Sequence, residues 1–148
     1  MTPAFIQEGT EIVDAPLDPV ALDTLARTIW GEARGEGALG MQSVTAVVMN
    51  RVRTGRFGPD ATIVCRARRQ FSCWNDGDPN REKLLSVGDT DPRFRAALRI
   101  ARRALAGLGD DPTQGSTHYH ARYVNPRWAR GRAPTAEIGR HVFYNDVE

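Results

Sequence analysis

Two Asp-Pro pairs, Asp18-Pro19 and Asp91-Pro92, most constrain how this chain folds. Aspartate is a preferred helix N-cap and proline fits the first helical position, so each pair predicts the start of a helix. Apolar residues then recur at helical spacing, which predicts one buried face on each helix. These faces consist of Leu22, Leu25, Ala26 and Ile29 in the first helix, and of Phe94, Leu98, Ala101 and Leu105 in the second.

The remaining chain predicts further helices and a small sheet. Residues 38–52 carry a third helical stripe, and residues 62–68 suit one short helix. Residues 70–81 are rich in Asn, Asp, Gly and Pro, which predicts a loop. Weak alternation over 114–124 and a short apolar run over 138–144 predict two strands.

The predicted architecture is therefore α+β, mostly helical with a small antiparallel sheet or ordered loops. A length of 148 residues suits one domain. We expect residues 1–16 to form an N-terminal arm and residues 17–148 to form a single domain.

The basic residues are almost all arginine, with Lys83 the one exception. Clustered arginines leave a nucleic-acid-binding module open as one hypothesis, and steeply salt-dependent duplex binding would support it. The net charge of only +2 and an acidic stretch from Glu8 to Asp23 count against it. We expect no nucleic acid partner and a monomer.

The chain lacks an apolar run near the roughly 20 residues of a membrane helix, and its first residues do not resemble a secretory signal. We expect no stable membrane insertion, and a protein that stays in the cytoplasm until it is released. Cys65 and Cys73 are then expected to be reduced, although a disulfide between them stays open.

Glu32 is the leading candidate for chemistry. It follows Trp30 near the predicted C-terminal end of the first helix, and both an aromatic neighbour and a helix C-terminus disfavour the charged carboxylate. A carboxyl that keeps its proton near neutral pH can act as the general acid in cleavage of a glycosidic bond. The alternative is an exposed acid at a helix end. Hydrolysis would need a second carboxylate, for which Glu36, Asp76 and Asp78 are the candidates.

Two further segments suit binding of sugars. The predicted loop combines aromatic faces with hydrogen-bonding groups in Gln70, Phe71, Ser72 and Trp74, although the rings could equally anchor the loop. His118 and His120 could bind a metal with His141, but no acidic fourth ligand is evident, so we expect hydrogen-bonding imidazoles and neither metal nor cofactor. A cysteine nucleophile is a weaker alternative, because no recognisable motif surrounds Cys73.

Several sequence blocks resemble the SleB-type cell wall hydrolase family. The blocks are Thr28-Ile29-Trp30-Gly31-Glu32-Ala33-Arg34-Gly35-Glu36, Gly40-Met41, Val47-Val48-Met49-Asn50-Arg51-Val52, Gln70-Phe71-Ser72-Cys73-Trp74, His118-Tyr119, Trp128 and Ile138-Gly139-Arg140-His141-Val142-Phe143-Tyr144. The resemblance implies a lysozyme-like fold and lytic transglycosylase activity on peptidoglycan glycan strands, with Glu32 as acid and base. Without a signal peptide or wall-binding repeats, a phage or prophage endolysin or a bacterial autolysin is expected instead of a spore enzyme.

A glycan strand needs aromatic platforms and polar groups on both sides of the acid. We therefore expect the segment of Gln70, Phe71, Ser72 and Trp74 to converge with that of His118, Tyr119 and His120 around Glu32.

Overall fold

The computed structural model describes residues 17–68, 70–145 and 147, so the predicted arm lies outside the described residues. Five α-helices precede a three-stranded sheet within this part of the chain. The helices are α1 (Pro19–Ala33), α2 (Gly37–Thr54), α3 (Ala61–Arg66), α4 (Pro79–Ser86) and α5 (Pro92–Leu105), and the strands are β1 (His118–Ala121), β2 (Ala136–Ile138) and β3 (His141–Tyr144). Short 3₁₀ turns cover Arg34–Glu36, Ser72–Trp74 and Arg127–Ala129.

Helix α4 corrects the prediction of a loop over residues 70–81. It begins as α1 and α5 do, because the side chain of Asp78 accepts the backbone N–H of Asn80 at 2.8 Å and proline follows the cap. Asp18 caps α1 in the same way at 2.9 Å. Polar residues typical of a loop precede Asp78-Pro79, so the helix that begins at this third Asp-Pro pair was not predicted.

Helix α1 is the centre of the hydrophobic core. It contacts all four other helices, and Leu25, Ala26 and Ile29 are fully buried. Burial of one Leu or Ile side chain contributes about 1.5–3 kcal/mol, so this apolar face fixes the rotation of α1 in the domain. The fixed rotation of α1 also determines where the side chains at its C-terminal end point.

The sheet has the strand order β1-β3-β2, and both pairings are antiparallel. Tyr119 lies opposite Phe143 in the first pair. The sequence analysis predicted one strand over 138–144, whereas the chain turns at Gly139-Arg140 and Ile138 belongs to β2. Gly139 has a φ of 57°, and a Cβ there would lie 2.7 Å from Oε1 of Glu36, so a side chain at this position would strain the turn and displace the Glu36 carboxyl.

The predicted α+β class is confirmed: the described chain is mainly helical and carries one small antiparallel sheet. Among the described residues, no helix combines the length and the apolarity that crossing a bilayer requires.

One face of the sheet carries a cluster of rings built around Trp128. The ring of His118 lies 5.3 Å from Trp128 and 5.7 Å from Phe57, centroid to centroid. Burial, followed by the positive charges of Arg51, Arg56 and Arg132, lowers the pKa of His118 from 6.5 to about 4. His118 is therefore neutral in the folded protein at neutral pH.

This lowered pKa predicts a loss of stability in mild acid. The unfolded chain binds a proton at His118 near pH 6.5 and the folded protein near pH 4, so stability is complete above pH 6.5 and falls as the pH drops between these values. Solvent screening at this half-buried ring limits the loss to about 1–2 kcal/mol. Chemical denaturation of the wild type and of His118→Phe at pH 7 and pH 4.5 measures it. The variant should lose less stability than the wild type, and equal losses would contradict the prediction.

Candidate active site

The carboxyl of Glu32 is held between two distant segments. Glu32 lies in the last turn of α1, where it is half-buried. The hydroxyl of Tyr119 donates to Oε1 at 2.5 Å, and the backbone N–H of Cys73 donates to Oε2 at 3.2 Å. Both oxygens thus have a fixed donor, one from β1 and one from the 3₁₀ turn at Ser72–Trp74. Two such bonds fix the orientation of the carboxyl.

Tyr119 keeps its proton, and so remains a hydrogen-bond donor, at neutral pH. Burial is the largest cause that holds the pKa of Tyr119 well above its ordinary value, and the charge and hydrogen bond of Glu32 add to it. The ring is positioned by Phe143 at 5.6 Å and by His141 at 4.9 Å, between centroids. Burial also lowers the pKa of His141, so a neutral imidazole supports the phenol ring.

Helix α1 also anchors the segment that carries Cys73. Thr28 lies one turn before Glu32, and its hydroxyl accepts the indole N–H of Trp74 at 2.9 Å. The thiol of Cys73 lies 3.9 Å from the backbone carbonyl of Thr28. Arg66 covers the Trp74 ring at 4.2 Å from its centroid. These two contacts to Thr28 hold the 3₁₀ turn at Ser72–Trp74 next to Glu32. Thr28 was not predicted to have this role.

The other residues predicted in this segment have different surroundings. Phe71 is 1% exposed and belongs to the core, as the alternative of an anchored loop predicts. Gln70 is exposed, and its side-chain oxygen accepts a hydrogen bond from Arg51. Ser72 is exposed next to Cys73. Because Phe71 is buried in the core, its ring is not accessible to a substrate. The predicted substrate contacts that remain in this segment are Gln70, Ser72 and Trp74.

Tyr119 and the two predicted histidines lie on opposite faces of strand β1. Tyr119 points to Glu32, while His118 and His120 lie on the other face of the strand and both contact Trp128. Alternation along a strand places neighbours on opposite faces, so the expected convergence of all three residues around Glu32 was wrong for the two imidazoles. Among the described residues, no group of three His, Cys, Asp or Glu side chains is arranged to hold a metal ion.

The three candidate second carboxylates each have another structural role. Glu36 accepts the backbone N–H of Arg140 at 2.9 Å and lies 3.7 Å from its guanidinium, which ties the β2–β3 turn to the start of α2. Asp78 caps α4, and the fully exposed side chain of Asp76 lies 3.8 Å from Arg81. Of these four carboxyls, Glu32 is the one held between β1 and the 3₁₀ turn at Ser72–Trp74.

Both cysteines are free, buried thiols. Burial raises the pKa of Cys65 to about 12, and burial followed by the nearby Glu32 charge raises the pKa of Cys73 further. The thiolate is the reactive form of cysteine, so neutral thiols argue against the cysteine-nucleophile alternative.

A cavity of about 410 Å³ lies away from this carboxyl, between α2, α5 and the loop that follows α5. Asp111 at its edge already accepts hydrogen bonds from Asn50, Thr113 and Gly115. The cavity offers space, but neither of the residues that donate to Glu32 lines it.

Comparisons with known proteins identify the family of the chain. The family model described as Cell Wall Hydrolase matches residues 35–144 and begins three positions after Glu32. Spore cortex-lytic enzymes are similar: that of Halalkalibacterium halodurans is 28% identical over 96% of this chain, and that of Bacillus cereus is 28% identical over 82%. The chain spans only 39% and 43% of the length of these two relatives.

Two solved structures share the fold. The catalytic domain of the germination-specific lytic transglycosylase SleB from Bacillus anthracis has a TM-score of 0.67 and 25% identity, covering 87% of this chain and 97% of that domain. The catalytic domain of Bacillus cereus SleB gives the same score and identity, with coverage of 89% and 94%. Because the family model matches well over half of the chain, the protein belongs to the Cell Wall Hydrolase family.

Proposed function

We propose that this protein cleaves the glycan strand of peptidoglycan as a lytic transglycosylase, with Glu32 as the only catalytic carboxyl. The observation that carries the proposal is the carboxyl of Glu32, held by Tyr119 and by the Cys73 N–H while Glu36, Asp76 and Asp78 are engaged elsewhere. The similar SleB catalytic domains, one of which is described as a lytic transglycosylase, support the same reaction.

The reaction needs one carboxyl and no water. Protonated Glu32 donates its proton to the glycosidic oxygen between N-acetylmuramic acid and N-acetylglucosamine, and the bond from C1 to that oxygen breaks with its electron pair leaving on the oxygen. The C6 hydroxyl oxygen of the muramic acid then forms a bond to C1, and its proton returns to the Glu32 carboxylate. The products are a 1,6-anhydromuramic end and a free 4-hydroxyl on the glucosamine, and the acid is regenerated.

The two donors at Glu32 suit the second half of this cycle. After proton transfer Glu32 is a carboxylate, and hydrogen bonds from Tyr119 and the Cys73 N–H stabilise that charged form. They also keep the oxygens in place to receive the second proton. Donors that are already oriented do not have to reorganise during the reaction.

The proposal includes the endolysin or autolysin setting that the sequence predicts. Purified protein added to permeabilised bacterial cells should then lower their turbidity, and intact walls under that treatment would count against this setting.

Replacement of Glu32 should abolish cleavage. Glu32→Gln keeps the shape of the side chain but cannot donate the proton, so kcat should fall by about 10²–10⁴-fold. Turbidity clearing of isolated peptidoglycan measures the rate, and mass spectrometry of the released fragments identifies the ends. Wild type should release 1,6-anhydro-muropeptides.

The matched control is Glu82→Gln, which makes the same change on the exposed side of α4 and should leave the rate unchanged. An active, folded Glu32→Gln protein would contradict the assignment of the acid. Reducing muramic ends from the wild type would show that water is the acceptor, and hence that the reaction is hydrolysis.

Loss of the Tyr119 hydroxyl should lower kcat without a comparable change in KM. Tyr119→Phe keeps the ring against Phe143 and His141 but removes the donor to Oε1, so the carboxyl loses one of two fixed bonds. We expect a fall of about 10-fold in kcat, the effect of roughly one lost hydrogen bond to a charged group. Tyr123→Phe is the matched control, because Tyr123 is 89% exposed. Equal kcat values for the two variants would contradict a role for the Tyr119 hydroxyl.

A further inference from the structure

Arg51 is a buried cation without a carboxylate partner. It lies in α2 and is only 5% exposed. No carboxylate of the described residues lies within ion-pair distance of its guanidinium. The guanidinium carbon instead lies 4.7 Å from the ring centroid of Phe57 and 5.2 Å from that of Phe71. Burial of a charge without an opposite charge costs stability, so the contacts that Arg51 makes in this position have to offset that cost.

The hydrogen bonds of Arg51 connect the two segments that contact Glu32. Its Nε donates to the backbone carbonyl of Thr117 at 2.7 Å, and its Nη1 donates to the side-chain oxygen of Gln70 at 2.9 Å. Thr117 lies two residues before Tyr119, and Gln70 lies three residues before Cys73. One guanidinium therefore spans the distance between the strand and the turn that supply both donors to the acid.

The charge of Arg51 also acts on the site. Burial lowers the pKa of Arg51 below its ordinary value, and the neighbouring Tyr119, Cys65 and Glu32 oppose that change. An arginine keeps its proton in proteins, so the guanidinium remains positive. This positive charge interacts with the negative charge that Glu32 carries after it has given up its proton.

We propose that Arg51 is a positioning residue for the acid. It holds Tyr119 and the Cys73 N–H against Glu32, and its charge stabilises the carboxylate that proton donation leaves behind. This inference rests on the proposed function, because it assigns a role in the same reaction.

The pH profile separates this role from simple support of the fold. Cleavage needs a proton on the acid, so activity declines on the alkaline side of the pH profile. Arg51→Met removes the charge and both hydrogen bonds, so kcat/KM should fall by about 10–100-fold and the alkaline decline should move to higher pH. Arg51→Lys keeps the charge, so its decline should stay near the wild-type pH with a smaller loss of rate.

Arg99→Met is the matched control, because Arg99 is exposed on α5; it should retain the wild-type rate and profile. Circular dichroism melting confirms that each variant is folded at the assay temperature. If Arg51→Met does not fold, Arg51→Gln replaces it, since a neutral amide can still donate to the Thr117 carbonyl and should show the same alkaline shift.

The result that overturns the proposal is a folded neutral variant whose profile coincides with that of the wild type, whether its rate is unchanged or uniformly lower. Such a result would leave the proposed function intact, provided that the wild type releases anhydro-muropeptides and Glu32→Gln does not. Absence of cleavage by the wild type would instead refute the proposed function itself.

Discussion

The hydrogen bond between Tyr119 and Glu32 joins the two structural halves of the domain. Its donor belongs to the small sheet and its acceptor to the central helix, and 87 positions separate them. A carboxyl can be fixed in this way only if the sheet has a defined position on the helices. Arg51 and the contact between Glu36 and the β2–β3 turn supply such constraints from α2 and from the turn before it. The geometry of the acid therefore depends on contacts made well away from it.

The helices could be predicted where local chemistry and periodicity agree. Asp18-Pro19 and Asp91-Pro92 combine a cap with an apolar stripe, and both starts are confirmed. Asp78-Pro79 has the same cap but only one fully buried side chain, Leu84, so no stripe follows it. The turn at Gly139 divides the last apolar run into β2 and β3 because Glu36 packs against it, and that partner is more than a hundred positions away. Long-range contacts of this kind leave no local pattern.

The candidate site shows the same limit. Glu32 could be predicted because an acid beside an aromatic residue at a helix end is a local feature, and Tyr119 because it lies in a polar, aromatic strand. Alternation along a strand places Tyr119 and the two histidines on opposite faces, and they lie so in the structure. Their expected convergence on one carboxyl was inconsistent with that alternation. The contributions of Thr28 and the Cys73 N–H could not be predicted, since a backbone donor has the same chemistry at every non-proline residue.

The backbone donor at Cys73 has a consequence for how this site is explored experimentally. One of the two groups that fix Glu32 is a side chain, and the other is a main-chain N–H. An alanine scan would detect the first and overlook the second, because Cys73→Ala leaves the N–H in place and reports only the loss of a buried thiol. Side-chain truncations alone would therefore show a hydrogen bond to only one of the two oxygens of the Glu32 carboxyl. Proline or a backbone ester at position 73 would remove this N–H and so test its hydrogen bond to Oε2 of Glu32.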